Sequence, residues 1–142
     1  MMIGPWLAAA LLTSTAHIQE QDAVVQPSEA PDYFGPYFVF FGFDSSEVDR
    51  DGNEILQQVA ADYLASGAAS LVLTGHTDRS GASDYNQRLS KRRVEAVRAR
   101  LVALGVDGGT ITVGPDGEGQ PLIDTADGVR EAQNRRVEIH FE

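Results

Sequence analysis

The sequence predicts an α/β domain, an α+β sandwich. A mixed four-stranded sheet built in the order β-α-β-α-β-β carries both helices on one face. Three observations predict it. Short β-branched or aromatic runs bounded by turn residues occur at Tyr37–Phe43, Ser70–Thr74 and Thr110–Val113. Two longer segments between them repeat apolar residues at helical spacing. The closing stretch Arg135–Phe141 alternates, with Val137, Ile139 and Phe141 on one face and Glu138 and His140 on the other.

The elements follow in order. Tyr37–Phe43 (YFVFFGF) reads as a buried strand. Asp49 or Asp51 can cap the first helix, because a carboxylate there accepts from the free N–H groups of the first turn. Ile55, Leu56, Val59, Ala60, Tyr63 and Leu64 form its apolar stripe, and Gly67 ends it. SLVLT at 70–74 is the second strand, and a loop at 75–83 leads into a second helix over 84–104 that stops at Gly105. The third strand is 110–113. A segment rich in Gly, Pro and Asp follows, with a helical turn near 128–133, and then the last strand. Parallel neighbours in such a sheet require right-handed crossovers.

Composition narrows the function. Of 142 residues, 42% are hydrophobic, enough for a packed core, and the formal net charge is −10. That charge argues against nucleic-acid binding and against an anionic membrane surface, which need a basic face. The six basic residues between Arg88 and Arg100 read mainly as a solvated helix face. No cysteine is present, which removes disulfides, thiolate metal sites, cysteine nucleophiles and a lipid-bearing cysteine. Three histidines without clustered spacing make no zinc site, and neither a phosphate loop nor an EF-hand pattern occurs. No serine near His76 has the third group a triad needs, so no catalytic residue and no cofactor is expected. Residues 1–16, an apolar run followed by small residues, read as an export signal. Residues 17–36, with Pro27, Pro31 and Pro36, read as a flexible tether, and 37–142 as the domain.

One feature of the second helix is physically unusual. With Tyr85 at 0° on a helical wheel, the apolar stripe of Leu89, Ala96, Val97, Leu101 and Leu104 centres at about 80–100°. Arg93 falls at about 80° and Asn86 at about 100°, inside that stripe, with Arg100 on its edge at about 60°. An unpaired guanidinium in a core costs several kcal/mol. Asp78, in the loop at the carboxyl end of the second strand, is the expected partner, at the edge where α/β sheets place ligand sites. Two readings stand. Asp78 and Arg93 form a salt bridge locking loop to helix, or they form a split pair that admits a zwitterion, the carboxylate taking an ammonium and the arginine a carboxylate.

The stretch 74–105, with Gly75-His76-Thr77-Asp78, Gly81, Asn86, Leu89-Ser90, Arg93, Val97, Leu101 and Gly105, resembles the OmpA-like (OmpA/MotB/Pal) peptidoglycan-binding domain. Phe41–Asp44 and Asn134-Arg135-Arg136-Val137-Glu138 are similar to that family's first and last strands, so the resemblance covers residues 37–142. It implies a module that is not an enzyme and that binds the meso-diaminopimelate residue of the peptidoglycan stem, with Asp78 and Arg93 as its key pair. It further implies that Asp44 and Asn86 line the pocket and that Thr77 orients the loop. Ser45 stands where many members carry Asn. Arg135 and Arg136 match the family's pattern, although edge-strand salt bridges explain them equally well. The implied setting is the periplasm or outer membrane of a Gram-negative bacterium, with peptidoglycan and other envelope proteins as partners. The competing expectation is an envelope structural or protein-interaction module that keeps the fold without the ligand.

Overall fold

The computed structural model describes residues 35–142. The expected export signal and all but the last two tether residues lie outside that range. The elements are β1 (Tyr37–Phe40), α1 (Arg50–Ser66), β2 (Leu71–His76), α2 (Ser83–Ala103), β3 (Ile111–Gly117) and β4 (Arg136–Phe141). Short 3-10 turns occupy Gly108–Thr110 and Ala132–Asn134. The element order and fold class are those the sequence predicts.

The sheet order is β1-β4-β2-β3. β2 and β3 are parallel, whereas β4 runs antiparallel to both β1 and β2. β4 is therefore an interior strand, not the edge strand expected for Arg135 and Arg136. β1 is shorter than expected because the chain turns away after Phe40, while β3 extends past Val113 to Gly117.

One face of the sheet supplies Val39, Leu71, Leu73, Ile111, Val137 and Ile139 to a single core. Leu56, Val59 and Tyr63 of α1 and Val94, Val97 and Leu101 of α2 close it from above. Leu64 is the exception in the predicted stripe: it is 64% exposed, turned about 100° from its neighbour Tyr63, which faces the core from the same turn.

Local chemistry sets the helix ends. Asp49 Oδ1 accepts from the Gly52 amide at 2.8 Å, and Gly67 ends α1 in the left-handed conformation at φ 72°. Gly75 fixes how closely α2 lies on β2. A Cβ there would collide with the Ser90 carbonyl and lie 2.7 Å from Val94 Cγ2. This close approach brings the end of β2 against the middle of α2, where Arg93 sits.

Candidate functional site

A cavity of about 190 Å³ opens where the ends of β1 and β2 and the start of β4 meet α2. Phe43, Asp44, Thr77, Asp78, Tyr85, Asn86, Arg93 and Arg135 are among the residues that line it. All five residues singled out from the sequence thus border one space. The pairing of Asp78 differs from the one expected.

Arg93 points inward, as the helical wheel requires, and is 0% exposed. Its guanidinium does not hydrogen-bond Asp78. Nε donates to the Ser45 carbonyl at 2.8 Å, Nη1 to the His76 carbonyl at 3.0 Å and Nη2 to the Gly42 carbonyl at 3.2 Å. The guanidinium also lies 5.3 Å from the Phe41 ring centroid. Burial pushes the Arg93 pKa down to about 10, and the neighbouring Arg135 charge adds to that, while Asp78 and Asp44 oppose it. The group remains a cation at neutral pH. Three backbone carbonyls, not a carboxylate, make its burial tolerable. Ser45, where a family asparagine is usual, contributes through its carbonyl.

Asp78 is 3% exposed. Its Oδ1 accepts from the Ser80 hydroxyl at 2.5 Å and the Ser80 amide at 3.1 Å. Its Oδ2 accepts from the Glu131 amide at 3.2 Å and from Arg135 Nη1 at 3.1 Å. Burial alone would raise this carboxyl, but the bonds from Ser80, Arg135 and Glu131 outweigh it and hold the pKa below its ordinary value. The salt bridge expected between Asp78 and Arg93 is therefore an Asp78–Arg135 bridge.

Asn86 is buried, and its amide donates to the Asp78 carbonyl at 3.2 Å, the Gly81 carbonyl at 3.1 Å and Glu118 Oε2 at 3.1 Å. It ties the 78–81 loop to α2. Thr77 fixes the same loop through its backbone, whose amide donates to the Gly117 carbonyl at 2.6 Å. The Thr77 hydroxyl is buried beside the cavity and has no hydrogen-bond partner among the described residues. Asp44 is exposed at the cavity rim and adopts φ 51°. It occupies a tight turn closed by the Ser45 amide donating to the Gly42 carbonyl at 3.2 Å.

Sequence reasoning assigned no site role to Arg135, Phe43 or Tyr85. Arg135 enters the site because β4 lies between β1 and β2. Its Nε donates to the Phe41 carbonyl at 3.1 Å, across the end of β1. Phe43 and Tyr85 flank the opening, 47% and 37% exposed, with Arg130 3.7 Å over the Phe43 ring and Arg92 5.8 Å from the Tyr85 ring. The zero-degree position of Tyr85, on the shoulder of the apolar stripe, was the available signal for its place at the rim.

Residues 40–135 match the OmpA family. Outer membrane protein A of Bordetella avium is 35% identical over 121 residues, 82% of this chain and 62% of that protein. A peptidoglycan-associated lipoprotein of Haemophilus influenzae is 34% identical over 103 residues, 72% of this chain and 67% of the relative. The chain spans 30–62% of the length of the first three curated relatives. Among solved structures, the peptidoglycan-associated lipoprotein of Burkholderia pseudomallei superposes with a TM-score of 0.68 at 33% identity, over 74% of this chain and 89% of that one. The C-terminal domain of Helicobacter pylori MotB shares the fold, with a TM-score of 0.66 at 20% identity over 76% of this chain and 85% of that one. The matched residues run from the end of β1 to the arginine that precedes β4, enclosing the pocket, and the chain belongs to the OmpA family.

Proposed function

We propose that the chain binds peptidoglycan non-covalently, taking the diaminopimelate residue of the stem peptide into the pocket formed by Asp44, Thr77, Asp78, Asn86 and Arg93. One observation carries this reading. Two carboxylates and two guanidiniums border a single cavity of about 190 Å³, beside a buried hydroxyl without a partner among the described residues. The free end of a diaminopimelate side chain is an amino-acid head, with one ammonium and one carboxylate. Such a head complements a site that offers both signs of charge. A buried hydroxyl without a partner costs about 1–3 kcal/mol, which a bound polar group would recover.

The names of the relatives support the same setting: an outer membrane protein and lipoproteins associated with peptidoglycan. We read the chain as a component of the Gram-negative envelope, on the periplasmic side or at the outer membrane, exported by residues 1–16 and held on the tether 17–36. We read it as a binder and not a catalyst.

Purified protein should sediment with sacculi of the diaminopimelate type, and free stem tripeptide ending in meso-diaminopimelate should compete it off. Failure to sediment would favour the rival, a fold retained for protein contacts alone. Release of soluble fragments from the sacculi would overturn the non-catalytic reading.

A further inference from the structure

Both helices pack against one face of the sheet. Register assigns Phe38 and Phe40 of β1, Arg136, Glu138 and His140 of β4 and Thr74 of β2 to the other face, since Val39, Val137, Ile139 and Leu73 between them point into the core. Phe38 and Phe40 stand side by side at the edge of the sheet, with ring centroids 6.3 Å apart, and Phe40 is 42% exposed. Glu138 lies directly across from Phe38, and Thr74 lies beyond it. The result is an aromatic shelf with a row of hydrogen-bonding groups along its inner side.

The charges on this face are matched within it. Arg136 is buried and donates to Glu138 Oε1 from Nε at 2.9 Å and from Nη2 at 2.6 Å. The other oxygen, Glu138 Oε2, has the Nε2 atoms of His76 and His140 at 3.7 and 3.5 Å, both longer than a good hydrogen bond. Oε2 therefore keeps acceptor capacity, and the His140 ring beside it is half exposed. Such a face selects against an ion and for an uncharged ligand with one apolar side and a polar edge. A pyranose ring has that form. Its C–H face stacks on an aromatic ring, whose π-cloud attracts the C–H hydrogens, while its hydroxyl and acetamide groups point outward from the rim. A stable protein interface, by contrast, buries about 1,200 Å² or more, and two rings on one edge strand are a small core for it.

The place of the shelf fits the same polymer. Phe40 closes β1, and Asp44 on the pocket rim follows four positions on, at most about 14 Å along the chain. In peptidoglycan the diaminopimelate is the third stem residue from the muramic acid, about 10 Å along an extended backbone. The muramic carboxyl is bound up in the amide to the stem, so the glycan strand itself is uncharged there. We propose that the helix-free face of the sheet is a platform for the glycan strand, with Phe38 and Phe40 stacking on its sugar rings and Glu138 and His140 hydrogen-bonding to their polar edges. This inference rests on the peptidoglycan reading given above and adds a sugar contact outside the peptide pocket.

The test titrates the full chain calorimetrically with two probes. One is the tripeptide L-Ala-γ-D-Glu-meso-diaminopimelate, and the other is the same tripeptide carried on its N-acetylglucosaminyl-N-acetylmuramic acid disaccharide. The wild type should bind the second about tenfold more tightly, the effect of one well-stacked ring. Phe40→Ala should make the two probes equal and leave the tripeptide affinity unchanged, which also reports that the pocket is still folded. Phe40→Leu keeps the apolar bulk without the aromatic face, and it should lose most of the preference at an unchanged melting temperature. An undiminished preference in Phe40→Ala would overturn the proposal. So would a wild type that bound both probes alike, in which case the pocket reading stands and the face is left for a protein ligand. A wild type that bound neither probe would remove the pocket reading itself, and the platform with it.

Discussion

At the residue scale, Arg93 shows what a charge inside an apolar stripe means. Its place on the wheel declared it buried, but the wheel could not name its partners, which come from residues 42, 45 and 76. Replacing it with alanine orphans three carbonyls, and we expect a loss of about 3–5 kcal/mol, read by urea denaturation. Asp78 yields a pH prediction whose sign is fixed. Its pKa is lowered on folding from an ordinary 3.8, so the folded state binds fewer protons than the unfolded chain. The stability it contributes is complete above that ordinary value and is lost as pH falls through the lower folded pKa. Glu138 acts in the same direction from an ordinary 4.5, because bonds and charge from Arg136, with His76 and His140, outweigh its burial. The melting temperature should therefore fall as pH drops below 4.5 towards and past 3.8, and the fall should be shallower in Asp78→Asn. An identical slope in that variant would remove Asp78 from the account.

At the scale of elements, the crossing of β2 and α2 decides whether a pocket exists. Gly75 leaves no room for a side chain, since Ser90 and Val94 already occupy the space a Cβ would take. Gly75→Ala should push α2 away and cost about 1–3 kcal/mol, by the same denaturation measurement. Helix boundaries were legible because their causes are local: the Asp49 cap, the left-handed Gly67 and the Gly105 that follows α2. Strand ends were less legible. β1 stops at Phe40 because residues 42–45 turn around the Arg93 guanidinium, and β3 continues because β2 runs beside it to His76. Both depend on partners distant in sequence. The rim aromatics fall between these cases, for Tyr85 belongs to a readable helix while Phe43 lies on the turn that Arg93 holds from α2.

At the scale of the whole molecule, the burial pattern separates similar residues. Ile139, in an interior strand, is 0% exposed, and Ile139→Ala should cost about 2–5 kcal/mol. Leu64, assigned to the same core by periodicity, is 64% exposed, and Leu64→Ala should change stability by less than about 0.5 kcal/mol. Strand order sets the site in the same way. Insertion of β4 between β1 and β2 delivers Arg135 to Asp78, 57 positions away in the chain. Periodicity, capping residues and glycine positions were enough to determine the number, type and order of the elements, and an inward Asn86 and Arg93, because each is a property of neighbours along the chain. Which carboxylate meets which guanidinium was decided only by the folded sheet. Ion pairs form between groups that topology makes adjacent, and a strand inserted between two others makes neighbours that no local pattern records.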